Sequence, residues 1–284
     1  MREVKTTVRA ISAPIDDLTT FRPFPTQQME HLDPFLFLNH HGPQDYRKNN
    51  RGLPFGPHPH RGFETLTFIL TGDLVHWDSS GSKSIIKEGG IQWMTAGSGL
   101  IHSETSSEEF KKEGGKVEIL QLWMNLPARL KMLAPSYQGF TKEEIPVVTM
   151  DNDLVKIQVI SGELEGVIGP AESVTDLTMG ILHFSAEAEI TLTIPKSNEI
   201  LLYTVDGRFK VNGQEAQTHD LVLFEQNGDQ VTIKSATTGR MILGFGQPLN
   251  EPIVAYGPFV MNSEEEIKEA YQDYQSGKMG RWDQ

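Results

Sequence analysis

Apolar and polar positions alternate along ETLTFILTG, residues 64–72, then merge into an apolar run rich in β-branched and aromatic side chains. That pattern predicts a buried strand. A Gly-Asp turn leads into DLVHWDSSGS, a second strand ending at Ser-Ser-Gly, and VEILQLWMNLP gives a third, closed by Pro127. Evenly spaced strands separated by glycine-rich turns predict a β-barrel or sandwich. The rhythm breaks at ARLKMLAPSYQGFTKEEIPVV, which reads as a short helix and a polar connection, and a second strand-rich block runs from Val155 to Gly246. NSEEEIKEAYQDYQSGKMG predicts a helix near the C-terminus. Ser263 caps it, Glu266 completes a capping box, and Ile267, Ala270, Tyr271 and Tyr274 form one apolar stripe for core packing.

The two strand-rich blocks resemble each other. Glu64 precedes Gly72 by eight residues and Glu199 precedes Gly207 by the same eight, each pair spanning a strand and its turn. The expected fold is therefore all-β: two stacked jelly-roll-like β-barrels with a C-terminal helix. Residues 1–135 are assigned to the first barrel, 136–154 to a linker, and 155–284 to the second barrel with the helix.

Composition narrows the function. With 284 residues the chain can bury one large core or two medium ones. No run of eighteen apolar residues predicts a membrane span, and the start lacks the apolar stretch of a signal peptide, so a cytoplasmic location is expected. A net charge of −13 opposes contact with phosphate backbones. Direct nucleic-acid binding is not expected, and any role in gene expression would pass through a protein partner. The absence of cysteine leaves imidazole and carboxylate as the metal-binding groups.

Those groups occur in a telling arrangement. In FGPHPHRGF, His58 and His60 stand two apart and project from one face of a strand. In MTAGSGLIHSE, His102 and Glu104 repeat the spacing after a turn at Gly97 and Gly99. A barrel that sets these strands side by side offers three nitrogens and one carboxylate oxygen. That donor set suits Fe(II), Mn(II), Ni(II), Cu(II) or Zn(II). Glu64 has the same parity as His58 and His60 and competes with Glu104 as the carboxylate. Aligning the blocks puts Thr193 and Pro195 opposite His58 and His60, and Thr232 and Lys234 opposite His102 and Glu104. The second barrel, expected to be metal-free, thus keeps a glutamate at the Glu64 position without the other donors, which favours Glu104. His31, His40, His41, His76, His183 and His219 lie outside this spacing.

PHPHRGFETLTFIL, IQWMTAGSGLIHSE, LQLWMNLPARLKM and EPIVAYGPFVMNSEEEI resemble the pirin family, two-barrel members of the cupin superfamily, and LDPFLFLNHHGPQDY and KIQVISGELEGVIGP extend the likeness over nearly the whole chain. The resemblance implies an iron in the first barrel, held by His58, His60, His102 and Glu104, and none in the second. It implies two activities. One is quercetin 2,3-dioxygenase chemistry, which opens a flavonol ring with O2 and releases carbon monoxide. The other is regulation through a protein partner. Under the first, Glu104 is both ligand and catalytic proton acceptor; Phe37, Trp93, Met94, Leu122 and Met124 are pocket candidates by sequence neighbourhood, with plain core packing the favoured reading for each.

Overall fold

Antiparallel strands make up most of the computed structural model, which describes residues 1–282. The chain forms two compact units, each assembled from separate stretches. The first barrel takes Ser12–Thr20, Phe35–Lys142 and the described residues from Leu249 to 282; the second takes Met1–Ile11, Phe21–Pro34 and Glu143–Pro248.

In the first barrel the ETLTFILTG run lies at the centre of a sheet, as the Phe63–Thr71 strand between Ile91–Thr95 and Gly115–Asn125. Ser136–Phe140 and Phe35–Tyr46 flank these in turn. Phe63 to Leu70 are all buried, because both faces of this central strand are covered, hence the continuous apolar stretch. A second sheet has the order Phe55–His60, Leu100–Thr105, Asp73–Asp78, Lys83–Lys87. Ile69, Val117 and Ile119 of one sheet pack with Leu74 and Ile86 of the other.

In the second barrel a seven-stranded sheet runs Val4–Arg9, Asp220–Phe224, Glu199–Asp206, Gly239–Gly246, Thr178–Phe184, Val155–Ser161, Val147–Met150. A four-stranded sheet contains Glu189–Thr193, Gln230–Ser235, Arg208–Val211 and Gln214–Gln217. Ile157, Leu202, Phe209, Val231 and Leu243 are among the fully buried residues of their shared core.

The linear partition at 135 and 155 does not describe these units. Val4–Arg9 pairs with Asp220–Phe224 in the second barrel. The C-terminal segment packs on the first, where Phe259, Met261, Ile267, Ala270 and Met279 cluster with Ile101. The stretch 136–154 is not a free linker. Ser136–Phe140 extends one barrel's sheet and Val147–Met150 the other's. Both are edge strands without a fully buried residue, so neither shows the apolar run of a core strand although their backbones are paired.

Two α-helices occur among the described residues. Helix α1 (Glu108–Glu113) is capped by the Ser107 hydroxyl, which accepts from Phe110 N. Helix α2 (Glu264–Gln275) has the expected capping box between Ser263 and Glu266. Its buried stripe is narrower than expected: Ile267 and Ala270 are buried, while Tyr274 is exposed. ARLKML yields only a 3-10 turn at Ala128–Leu130. No helix among the described residues is long and apolar enough to cross a membrane.

Candidate metal centre

The Phe55–His60 strand lies at the edge of its sheet, which is why it tolerates Pro57 and Pro59: an edge strand can spare the missing N–H groups. Its inner neighbour is Leu100–Thr105, in a register that sets His58 directly opposite His102. Residues opposite one another in an antiparallel pair share a face, and His60 joins them by alternation. One ring nitrogen from each of the three histidines falls within 4.8 Å of the others. The Nε2 atoms of His58 and His102 are 3.0 Å apart.

Hydrogen bonds fix which nitrogens are free. His58 Nδ1 lies 2.7 Å from the Gly56 carbonyl, and His60 Nδ1 lies 3.2 Å from the Pro258 carbonyl. A carbonyl can only accept, so Nδ1 carries a proton in both rings, which leaves Nε2 as the nitrogen each has to offer a metal. His60 Nε2 and His102 Nδ1 are buried without a hydrogen-bond partner. Burial holds His60 and His102 well below the ordinary histidine pKa, and neighbouring imidazoles add to the effect. Three converging rings, two of them held neutral by burial and each with an orphaned buried nitrogen, form a donor set that a divalent first-row metal would satisfy.

Of the expected ligands, the structure gathers His58, His60 and His102; Glu104 is not among the gathered donors. It projects from the same face as His102, but its carboxylate is engaged elsewhere. Thr67 Oγ1 donates to Glu104 Oε1 at 3.0 Å, and Gln121 Nε2 donates to Oε2 at 2.5 Å. Trp123 Nε1 in turn donates to Gln121 Oε1 at 3.2 Å.

Glu64 is brought to no histidine. The parity that linked it to His58 and His60 is lost at Arg61–Gly62, where Gly62 takes a φ of +89° and the chain passes into the other sheet. Along Phe63–Thr71, Thr67 faces Glu104, so Glu64 lies on the opposite face. There its Oε1 accepts from Trp93 Nε1 at 3.0 Å and Thr95 Oγ1 at 2.7 Å.

The same alternation sorts the pocket candidates into core and wall. Trp93, Leu122 and Met124 pair with Leu66 or Glu64 and face away from the histidines. Phe37 is on the site side: it stacks on Trp123 at 4.6 Å, and Trp123 stacks on Phe63 at 4.4 Å. Met94 pairs with Thr65 on that side as well, and packs with Tyr137. The edges of Phe63 and Trp123 meet His60 at ring distances of 5.0 and 5.1 Å. Sequence reasoning missed Gln121 and Trp123, although QLW carries the signal: both occupy the odd positions whose even neighbours are core. It also set His76 aside. That ring lies 5.4 Å from His102, stacks on Tyr137 at 4.0 Å and pairs with Asp78 at 2.9 Å.

In the second barrel the strand pairing corrects the internal alignment by two residues. Thr191, not Thr193, stands opposite Thr232, as His58 stands opposite His102. The stretch from Thr191 to Glu199 is eight residues against six from His58 to Glu64, so the extra two lie in the intervening loop. Where the first barrel has two facing imidazoles, the second has two hydroxyls 2.7 Å apart.

A family model described as Pirin matches residues 17–124, and one described as the Pirin C-terminal cupin domain matches residues 181–280. A pirin-like protein of Solanum lycopersicum is 39% identical over 259 residues, covering 89% of this chain and 84% of its own length. The pirin of Mus musculus is 36% identical over 259 residues, covering 89% and 85%. The crystal structure of a quercetin 2,3-dioxygenase from Acinetobacter baumannii superposes with a TM-score of 0.93 at 33% identity, covering 99% of both chains. Matched by family models over both its N-terminal and C-terminal stretches, and more than one-third identical to plant and animal pirins over most of its length, the chain belongs to the pirin family of two-barrel cupins.

Proposed function

We propose that this chain is an iron-dependent dioxygenase of the quercetin 2,3-dioxygenase type, acting in the cytoplasm on a flavonol-like substrate and O2. The observation that carries the reading is the convergence of three histidine rings beside a stacked aromatic wall. The likeness to the Acinetobacter enzyme supports it. His58, His60 and His102 would hold Fe(II), joined by Glu104 once its carboxylate turns from Thr67 and Gln121, with Mn(II), Ni(II), Cu(II) and Zn(II) as competitors for the same donors. The metal supplies Lewis acidity toward the flavonol 3-hydroxyl. Glu104, released by Gln121, takes the hydroxyl proton on Oε2, a general-base contribution of roughly 10²–10⁴-fold in rate. Trp123 and Phe37 orient the planar rings, and Phe63 helps to keep water out.

The test is anaerobic loading with Fe(II), then admission of O2 while flavonol absorbance and carbon monoxide are followed. Stoichiometric metal, O2-dependent bleaching and carbon monoxide release are expected, with metal uptake abolished in His102→Ala and turnover lost in Glu104→Ala. Loaded protein that leaves flavonols intact would overturn the enzymatic reading. If it bound a protein partner in only one oxidation state, the regulatory alternative would stand in its place.

A further inference from the structure

The carbonyl that sets the His60 tautomer comes from a distant part of the chain. Pro258 lies in the turn between the Val254–Tyr256 and Phe259–Met261 strands, and its carbonyl is the hydrogen-bond partner of His60 Nδ1. Three ties hold the C-terminal segment that carries this turn against the end of the histidine strand. Phe259 forms a parallel bridge with Arg61, and Val260 N donates to Arg61 O at 3.1 Å. Lys131, only 1% exposed, donates from Nζ to the carbonyls of Gly62 and Val260 and to Asn125 Oδ1, at 2.8, 3.0 and 2.7 Å. The Arg61 side chain donates to Ser98 O at 2.7 Å and to Asp273 Oδ2 on α2 at 2.9 Å. The segment also reaches the other histidine strand. Ser79 Oγ donates to Met279 O at 2.8 Å and accepts from Ile101 N, next to His102, at 3.0 Å.

We propose that the C-terminal segment is part of the metal centre: through the Pro258 carbonyl it locks His60 as the Nδ1–H tautomer, with Lys131 and Asp273 as positioning residues. The inference rests on the reading of the three histidines as metal ligands. An outer partner that orients a ligating histidine typically contributes 10–100-fold in metal affinity. Nothing in the spacing of the histidines themselves reveals this dependence, because the partner lies about 200 residues away in sequence.

The test compares wild type, Asp273→Ala and Lys131→Met in the full chain, by competition for Zn(II) or Ni(II) with a chromophoric chelator. Long-range ¹H–¹⁵N spectra of the metal-free proteins report the His60 tautomer alongside. Wild type is expected to show one Nδ1–H tautomer. Asp273→Ala should weaken metal binding roughly tenfold and mix the tautomers, and Asp273→Asn, which keeps an acceptor for Arg61, should recover most of the loss. Because Lys131→Met leaves three buried acceptors unpaired and can fail to fold, the partly exposed Asp273 position carries the decision. Metal binding and tautomer unchanged in Asp273→Ala would overturn this inference alone. A folded wild-type chain that takes up no metal would overturn the metal-site reading and the inference with it.

Discussion

Glu64 carries a pH signature separable from the histidines. Burial raises its pKa from 4.5 to about 7, against the opposing pull of hydrogen bonds from Trp93 and Thr95. The folded state therefore binds the carboxyl proton more tightly than the unfolded state. The associated stability is fully present below about pH 4.5 and is lost as pH rises through 7. A shift from 4.5 to about 7 corresponds to roughly 3 kcal/mol. Glu64→Gln keeps the acceptor for Trp93 and Thr95 and replaces the titrating O–H with an amide. Urea unfolding of metal-free protein at pH 5 and pH 8 should show wild type losing more stability than the variant over that interval; parallel losses would refute the assignment. Glu64 also shows where residue-level reading fails. Strand parity is a local rule that a positive-φ glycine cancels, so Gly62 separates Glu64 from the histidines although all three stand at even positions. The three histidines were legible because each pair sits within one strand, where alternation holds. Gln121 and Trp123 were not, because apolarity pointed to their core-facing neighbours Leu122 and Met124.

At the scale of elements, α2 was legible to the residue at its start. Its capping box is written in consecutive sequence: Ser263 Oγ accepts from Glu266 N at 3.2 Å, and Glu266 Oε2 accepts from Ser263 N at 2.9 Å. Ser263→Ala removes one of these and should cost about 1 kcal/mol. Thermal unfolding should register a lower Tm, and exchange of the first-turn amides should quicken while the Glu199–Asp206 strand of the other barrel keeps its protection. A uniform loss of protection across both barrels would count against this local account. The edge strands Ser136–Phe140 and Val147–Met150 were hidden for the opposite reason. Neither strand has a fully buried residue, so no apolar stripe marks it in the sequence and only its pairing reveals it. Helix α1 is six residues long, too short for a helical period to emerge from the sequence.

At the scale of the whole molecule, neither half of the chain contains a complete barrel. A cut between Lys142 and Glu143 falls among exposed residues and by itself removes little. Yet residues 1–142 would lack Phe259, Val260 and Met261, each at most 3% exposed, together with the buried Ile267 and Met279. At about 1.5–3 kcal/mol per buried apolar side chain, the missing contacts amount to roughly 10 kcal/mol. That rivals the net stability of a typical domain. Residues 143–284 would lack the Val4–Arg9 strand and the buried Arg2, which donates to the carbonyls of Glu225, Pro195 and Asn198 at 2.8, 3.4 and 2.7 Å. Each fragment nevertheless carries the piece the other needs. Expressed alone, 1–142 should give collapsed amide spectra and no metal uptake. Mixed or co-expressed, the fragments should associate and recover the dispersed spectrum of the intact chain, with metal binding returning at the same step because Pro258 again reaches His60. A 1–142 fragment that folds and binds metal unaided would show that the histidine barrel closes without its C-terminal strands, and would remove the physical basis for counting them as part of it.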